Sequence, residues 1–229
     1  MHRLRVESIL LDETNPALPQ TAARHLKVLR PDEGERIELF DGRGGFREYA
    51  FAHGALEAAA PRRQAPRPAG GLTLFACVTK GSRWDWTLEK ATELGASRIV
   101  PVISERTIVR LAKPERAAKR ERWQRIVEDA ARQSDAKWLP EVLEAVDFRE
   151  SLELVRGCRC LVGALGEPPP QPISAVEGDA VYIGPEGDFT PEELAQLTSV
   201  ATPVTFGPRI LRAETAAIFA LSVLAARHI

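Results

Sequence analysis

The sequence predicts an α/β domain with a mainly parallel sheet, preceded by a small domain of strands and turns. From residue 72 onward, short apolar segments alternate with amphipathic helical patterns, which is typical of parallel strands joined by crossover helices. The first sixty residues instead read as strands and turns. Between them, the stretch PRRQAPRPAG (61–70) is proline-rich and aperiodic, as in a linker. We therefore place a boundary near residue 70, with domains at 1–70 and 71–229.

Composition excludes several classes of protein. The 229 residues are 44% apolar and 28% charged, which is ordinary for folded domains, and 31 basic side chains stand against 32 acidic ones. No apolar run is long enough to cross a bilayer, and the start MHRLRVESIL lacks the apolar core of a signal peptide. We expect a cytoplasmic protein without membrane contact. Three cysteines cannot form a disulfide framework, and no spacing indicates a metal site.

The clearest element of the first domain is a hairpin. Arg36–Phe40 predicts a strand, turn-forming residues follow at 41–45, and 46–52 predicts the returning strand. The glycines of this turn lack the spacing of a phosphate-binding loop, so we interpret them as turn residues.

The second domain has five segments with the composition of buried strands: 72–78, 99–103, 160–165, 180–183 and 204–206. Apolar spacing predicts helices over 84–94, 114–134 and 214–227, the first of them ended by Gly95. A further helix start is predicted by Thr190 as N-cap, Pro191 at the first helical position and Glu193 closing a capping box.

One stretch is strongly basic although the net charge of the chain is only −1. Between Arg106 and Arg125, eight basic residues are opposed by two acidic ones, and compensating acids follow between residues 141 and 153. Such a stretch is either a solvated helix face or part of a surface that contacts RNA phosphates. The run alone does not decide between these two interpretations.

Three loops that follow predicted strands indicate a nucleoside-like ligand: VGALGEPPP (162–170), IGPEGDFT (183–190) and FGPRILRAET (206–215). In open α/β sheets, ligands bind beyond the carboxyl ends of the strands, where glycines allow close approach to the backbone. Arg209, Arg212 and Glu214 in the third loop form either a surface salt-bridge group or a catalytic set. In the second case the arginines would hold an oxygen-rich group and the carboxylate would accept a proton.

Together with TKGSRWDWTLEKATELGASRIVPVISERT (79–107), these loops resemble the family of ribosomal RNA small-subunit uridine N3-methyltransferases (RsmE). RHLKVLR (24–30) and FDGRGG (40–45) are similar to the amino-terminal signature of that family. The resemblance implies a small PUA-like β-barrel domain, followed by a SPOUT-type domain whose carboxyl-terminal third is threaded into a trefoil knot. It also implies a homodimer that binds S-adenosyl-L-methionine and methylates N3 of one uridine in 16S rRNA, with the 30S subunit as partner.

The resemblance assigns roles by motif position. The implied cofactor-binding residues are Leu165, Gly166, Gly184, Pro185, Glu186, Gly187, Phe206, Gly207, Ile210, Leu211, Arg212, Thr215 and Ala216. We expect Arg212 to stabilise negative charge on the uridine imide and Glu214 to orient the base or accept its proton, with Glu186 as a second candidate. The residues expected to bind RNA are Arg3, Arg24, His25, Lys27, Arg30, Arg83, Arg106 and Arg110.

The sequence departs from the family at three positions. Asp188 replaces the second glycine of the usual G-P-E-G-G-F, Phe206 replaces a leucine, and Ala136, followed by Lys137, stands where an arginine is common. Two other functions stay open. One is an RNA-binding ribosome assembly factor in which Asp188 blocks the cofactor, and the other is a related SPOUT enzyme that acts on a different nucleotide.

Overall fold

The computed structural model describes residues 1–68, 71–166 and 169–228, and the chain divides into two compact units. Unit 1 comprises residues 1–68 and 131–139, and unit 2 comprises the remainder. The predicted boundary at residue 70 lies outside the described residues. A single boundary at residue 70 would also place residues 131–139 in the second domain, whereas this segment belongs to unit 1. No helix in the described ranges is both long and apolar enough to span a bilayer.

A five-stranded sheet forms the centre of unit 1. Its strands are β1 (His2–Arg5), β2 (Arg36–Phe40), β3 (Gly45–Ala52), β4 (Ala55–Ala58) and β5 (Arg63–Gln64). The first four are hydrogen-bonded in chain order, with β1 parallel to β2 and the other pairs antiparallel, while β5 pairs with β3. The predicted hairpin is confirmed. The strand β5 lies inside the segment 61–70, which the sequence predicts as a linker.

The reading of the first sixty residues as strands and turns is wrong for α1 (Gln20–Leu29). This helix has no side-chain N-cap and ends at Arg30 in a left-handed conformation with φ 48°, so the usual start and stop signals are missing from the sequence. Ala22 and Leu26 join the apolar core of the sheet. Packing against the sheet therefore stabilises a helix whose terminal residues carry no capping signals.

Arg3 is a buried structural residue, which corrects the prediction that it contacts RNA. Its side chain is 5% exposed, and Nε donates to Glu38 Oε1 at 2.7 Å. Its terminal nitrogens donate to the carbonyl oxygens of Ala131 at 2.7 Å and Ala136 at 3.1 Å. These hydrogen bonds leave the guanidinium no face with which to reach a ligand.

Glu38 is shared with a second cation. Lys137 Nζ lies 2.7 Å from both carboxylate oxygens of Glu38, whose side chain is 2% exposed. A buried carboxylate is tolerated only when it is paired and hydrogen-bonded. Because Arg3 comes from β1, Glu38 from β2 and Lys137 from the segment 131–139, this network joins three distant parts of the chain into unit 1.

Unit 2 contains a seven-stranded parallel sheet, which confirms the predicted α/β class. Its strands are β6 (Leu72–Cys77), β7 (Ala96–Ile103), β8 (Glu141–Val142), β9 (Val146–Asp147), β10 (Cys160–Gly163), β11 (Ala180–Ile183) and β12 (Thr202–Val204). They pair in the order β12-β10-β11-β6-β7-β8, and β9 pairs with β7. The strand predicted at 204–206 begins two residues earlier, and β8 and β9 are too short to give a sequence signal.

The remaining helices are α2 (Ser82–Glu93), α3 (Lys113–Gln133), α4 (Phe148–Val155), α5 (Pro191–Thr198) and α6 (Ala213–Ala225). The predicted capping box of α5 is present, with Thr190 accepting from the Glu193 amide and the Glu193 side chain returning to Thr190. Gly95 follows α2 with φ 81°, as a helix-terminating glycine should. The helix α4 was not predicted from the sequence.

We expect Arg3→Ala to lower the free energy of unfolding by about 2–4 kcal/mol, because it leaves Glu38 with one partner instead of two in a buried site. Urea unfolding measures this loss. The matched control is Arg24→Ala, which removes an exposed arginine from α1 and should change stability by less than about 0.5 kcal/mol. Equal effects of the two substitutions would show that the buried network is not what stabilises unit 1.

Candidate functional site

A cavity of about 490 Å³ lies beyond the carboxyl ends of β10, β11 and β12. Most of the residues within 163–165, 182–188 and 205–216 contribute to its walls. Because β10 is paired in parallel with both β11 and β12, the loops after these strands leave the sheet at the same edge. Three loops that lie far apart in sequence therefore form one ligand-sized cavity.

Two glycines of the cavity are required by close packing. A Cβ atom on Gly163 would lie 2.5 Å from the ring of Phe206, and one on Gly184 would lie 3.0 Å from the ring of Phe189. Phe206 also packs against Phe219 of α6, with ring centroids 6.0 Å apart. The glycines thus leave room for an aromatic wall on the third loop and for a buried aromatic ring under the second.

The structure brings together ten of the thirteen residues predicted to bind the cofactor. Those that line the cavity are Leu165, Gly184, Pro185, Glu186, Phe206, Gly207, Ile210, Leu211, Arg212 and Ala216. The other three, Gly166, Gly187 and Thr215, neighbour lining residues in sequence but do not line the cavity themselves.

Several lining residues were not assigned to the cofactor from the sequence. Six of them lie inside the motif loops at positions to which the family resemblance assigned no cofactor role: Gly163, Ala164, Ile183, Asp188, Arg209 and Ala213. Tyr182 and Thr205 lie one residue before the second and the third loop, so counting every loop residue and the residue before each loop would have found all eight. Arg83 also lines the cavity, although the sequence predicts that it binds RNA. It comes from α2, and only the packing of α2 against α6 brings it to the site.

Arg83 lies between two carboxylates at the edge of the cavity. Its Nη1 is 3.6 Å from Glu186 Oε1 of the second loop, and its Nε is 3.9 Å from Glu214 Oε1 in the first turn of α6. The Glu214 side chain is 13% exposed, and its Oε2 is buried without a hydrogen-bond partner among the described residues. An unpaired buried oxygen is costly, so Glu214 Oε2 is an acceptor without a donor, although Glu214 is not among the residues that line the cavity.

Arg212 is the N-cap residue of α6, and its exposed side chain lines the cavity. Its carbonyl oxygen accepts from the Ala216 amide at 2.8 Å, which fixes the start of the helix. Glu214 lies in the first turn, where the helix dipole favours a negative charge. One helix start therefore presents a cation to the cavity and holds a carboxylate two residues later.

The predicted RNA-binding residues of unit 1 other than Arg3 lie on or beside α1. Arg24, Lys27 and Arg30 are exposed, so their predicted role remains compatible with their positions. His25 is half-buried, and its Nδ1 lies 2.6 Å from Nη1 of Arg132.

In unit 2, Arg106 and Arg110 are exposed but bonded to backbone. Arg106 donates to the carbonyl oxygens of Gly187 at 3.1 Å and Phe189 at 3.2 Å, so it anchors the second loop of the cavity. Arg110 donates to the carbonyl oxygens of Ser104 at 3.3 Å and Glu105 at 2.7 Å. Their part in RNA binding stays a prediction.

Several basic residues of the stretch 106–125 form hydrogen bonds and ion pairs within unit 2. Arg116 is 8% exposed and donates to the carbonyl oxygen of Ala145 at 3.0 Å and to the carboxylate of Asp147. Arg120 donates to the Val142 carbonyl, and Arg122 forms an ion pair with Asp85 of α2. The surface charge of α3 is therefore lower than the sequence count suggests.

The three cysteines are free thiols. Burial raises the pKa of Cys77 to about 12 and that of Cys160 still further, so both stay protonated at neutral pH. In the part of the chain that the structure describes, no cluster of three or more His, Cys, Asp or Glu side chains is placed to hold a metal ion.

Comparison with known proteins agrees with this architecture. Residues 66–225 match the family model of the RNA methyltransferase domain, and residues 18–54 match that of the RNA methyltransferase PUA domain. The chain is 34% identical to ribosomal RNA small subunit methyltransferase E of Synechocystis sp., over 96% of this chain and 76% of the relative. The chain belongs to the ribosomal RNA small subunit methyltransferase E family.

Solved structures of this family have the same fold. Ribosomal RNA small subunit methyltransferase E from Neisseria gonorrhoeae, bound to S-adenosyl methionine, is 31% identical with a TM-score of 0.85, covering 99% of this chain and 98% of that one. A Legionella pneumophila structure in complex with bound cofactor SAM is 30% identical with a TM-score of 0.80, covering 98% and 97%. The family and fold class predicted from the sequence are confirmed, whereas the trefoil threading and the domain boundaries remain predictions.

We expect Gly163→Ala to displace the Phe206 ring and to lower the free energy of unfolding by about 1–3 kcal/mol, because the added methyl group has no space. Thermal unfolding measures the loss of stability, and fluorescence-detected binding of a nucleoside measures the effect of the displaced ring on the cavity. The control is Gly157→Ala, since the nearest atom to its Cβ is 3.9 Å away. Unchanged stability and ligand affinity in Gly163→Ala would mean that this contact does not shape the cavity.

Proposed function

We propose that this protein uses S-adenosyl-L-methionine to methylate N3 of a specific uridine in 16S ribosomal RNA. The observation that carries the proposal is the cavity formed by the three motif loops, with Arg212 in its wall and Glu214 behind it. Support comes from the family, whose Neisseria member is bound to S-adenosyl methionine, and from the relatives named small subunit methyltransferases.

The residues of the cavity fit a nucleoside cofactor. Phe206, Leu211 and Ala216 supply apolar surface for an adenine ring, and Gly184 and Gly207 expose backbone that can hydrogen-bond to polar atoms. The volume of about 490 Å³ is in the range of small-molecule sites. The bound cofactor supplies an electrophilic methyl group on a sulfonium.

The uridine imide is a weak nucleophile until it loses its N3 proton. Arg212, at the N-cap of α6, is placed to stabilise the negative charge that develops on the imide oxygens. Glu214 accepts the proton or orients the base through its unpaired Oε2. Glu186 remains the second candidate for this step, because it lines the cavity and Glu214 does not.

Exposed cations hold the RNA. Arg24, Lys27 and Arg30 present positive charge along one helix of unit 1, and Arg83, Arg106 and Arg110 do so in unit 2. His25 contributes from α1, beside Arg132. The substrate is the 30S subunit in the cytoplasm, and the protein acts as a homodimer.

The deciding experiment is transfer of labelled methyl groups from S-adenosyl-L-methionine to 30S subunits that lack the modification, followed by digestion to locate the product. Label in N3-methyluridine at one position of 16S RNA is the expected result. Label in another nucleotide would favour the related SPOUT activity, and RNA binding without cofactor affinity would favour the assembly factor.

We expect Arg212→Ala and Glu214→Gln to lower kcat about 10²- to 10³-fold, because each removes a group that acts on the reacting base. Single-turnover methylation measures the rate, and calorimetry should show cofactor affinity within about threefold of wild type for Glu214→Gln. The control is Glu144→Gln, an exposed acid outside the cavity. Wild-type turnover in both variants would remove these two residues from the mechanism.

We also expect RNA affinity to fall steeply between about 50 and 200 mM salt, because the contacts are mainly with phosphates. Replacing Arg24, Lys27 and Arg30 together by alanine should flatten the slope of log K against log salt by about 2–3. The control is Arg156→Ala, which removes an exposed arginine paired with Glu153. An unchanged slope in the triple variant would show that α1 does not contact RNA.

A further inference from the structure

Asp188 occupies a position whose backbone favours glycine. Its φ is 59°, in the left-handed region that side chains with a Cβ atom rarely adopt, although Asp and Asn tolerate it best. Its side chain is exposed and lines the cavity, one residue after Gly187. A glycine would adopt this turn more easily, so the φ angle by itself gives no reason for a carboxylate here.

The carboxylate of Asp188 is oriented but not neutralised. Its Oδ1 accepts a hydrogen bond from the Phe189 amide at 2.7 Å, and its own amide donates to the Pro185 carbonyl at 3.0 Å. Among the described residues, its Oδ2 has neither a hydrogen-bond nor an ion-pair partner. The other carboxylate of the same loop, Glu186, faces Arg83 at 3.6 Å. Arg106 donates to the carbonyl oxygens of the residues on either side, but no described cation forms an ion pair with the Asp188 carboxylate, so Asp188 contributes a negative charge to the cavity wall.

The cavity wall also carries Arg83 of α2, which faces Glu186, and on the third loop two further cations, Arg209 and Arg212. They favour an anionic or electron-rich ligand group on that side, such as a uridine imide or a carboxylate. On the side of the second loop, the negative charge of Asp188 instead favours a positively charged ligand group. A ligand with a positive centre is thus stabilised by this side chain, whether or not the two are in contact.

We propose that Asp188 determines cofactor selectivity by favouring the cationic methyl donor over the neutral product, an inference that rests on the proposed function. S-adenosyl-L-methionine carries a sulfonium, and after methyl transfer the same sulfur is an uncharged thioether in S-adenosyl-L-homocysteine. The two ligands otherwise share their polar groups. Asp188 therefore stabilises the donor and leaves the product unaffected, which favours replacement of the product by a new donor. This role is the opposite of the block on the cofactor that the assembly-factor interpretation assigns to Asp188.

The size of the effect follows from Coulomb attraction across a cavity of about 490 Å³, in which a lining carboxylate lies within about 10 Å of a bound sulfonium. Between the dielectric constant of bulk water and the lower effective value near a protein surface, this corresponds to about a two- to tenfold preference at low salt. Because the charge is exposed, the preference shrinks as the salt concentration rises.

The test is calorimetric titration of the intact protein with each of the two compounds at about 50 mM salt. Asp188→Asn keeps the acceptor for the Phe189 amide and the tolerance of positive φ, but it removes the charge. We expect the Kd of S-adenosyl-L-methionine to rise about two- to tenfold and that of S-adenosyl-L-homocysteine to stay the same. Asp188→Gly should repeat the loss of selectivity while raising the melting temperature, since glycine relieves the left-handed backbone.

The control is Glu144→Gln, which removes a negative charge of unit 2 outside the cavity and should leave both Kd values unchanged. Equal changes for the two ligands in Asp188→Asn, or no change for either, would overturn the proposal. Failure of the wild-type protein to bind either compound would instead overturn the proposed function. Higher melting of Asp188→Gly with unchanged selectivity would leave Asp188 with a backbone role only, which also overturns the proposal.

Discussion

Parallel hydrogen bonding of β10 to both β11 and β12 is the constraint on which the site depends. It sends the loops after three strands to one edge of the sheet, and the glycines at 163 and 184 let aromatic rings pack against them. The cavity therefore exists only while the three strands keep their register. This strand pairing positions the backbone of the segments that carry the family motifs.

Several arginines in this protein hold backbone segments and buried acids in place. Arg3 bonds to Glu38 and to two carbonyl oxygens, Arg106 anchors the second loop of the cavity, and Arg116 bonds to a carbonyl and a carboxylate. A planar guanidinium with five donors suits such multiple contacts better than a lysine does. The exposed cations that are left for RNA are therefore fewer than the composition implies.

The second and third loops of the cavity differ in the sign of the charged side chains that they present. The third loop and the start of α6 present Arg209 and Arg212, which suit an electron-rich base. The second loop presents Asp188, which suits a positive centre, and Arg83 from α2 compensates Glu186 and Glu214. This separation of sign within one cavity matches a reaction in which a cationic donor meets a nucleophile that must become anionic.

The sequence by itself determined the fold class, the family and most of the cavity residues, because apolar periodicity, capping signals and glycine motifs are local properties of the chain. It missed α1, whose ends lack capping signals, and it misassigned Arg3, because burial depends on residues more than a hundred positions away. Only the tertiary structure decided that Arg83 reaches the cavity and that 131–139 belongs to unit 1. Such placements follow from packing and ion pairing between distant segments, and no local pattern encodes them.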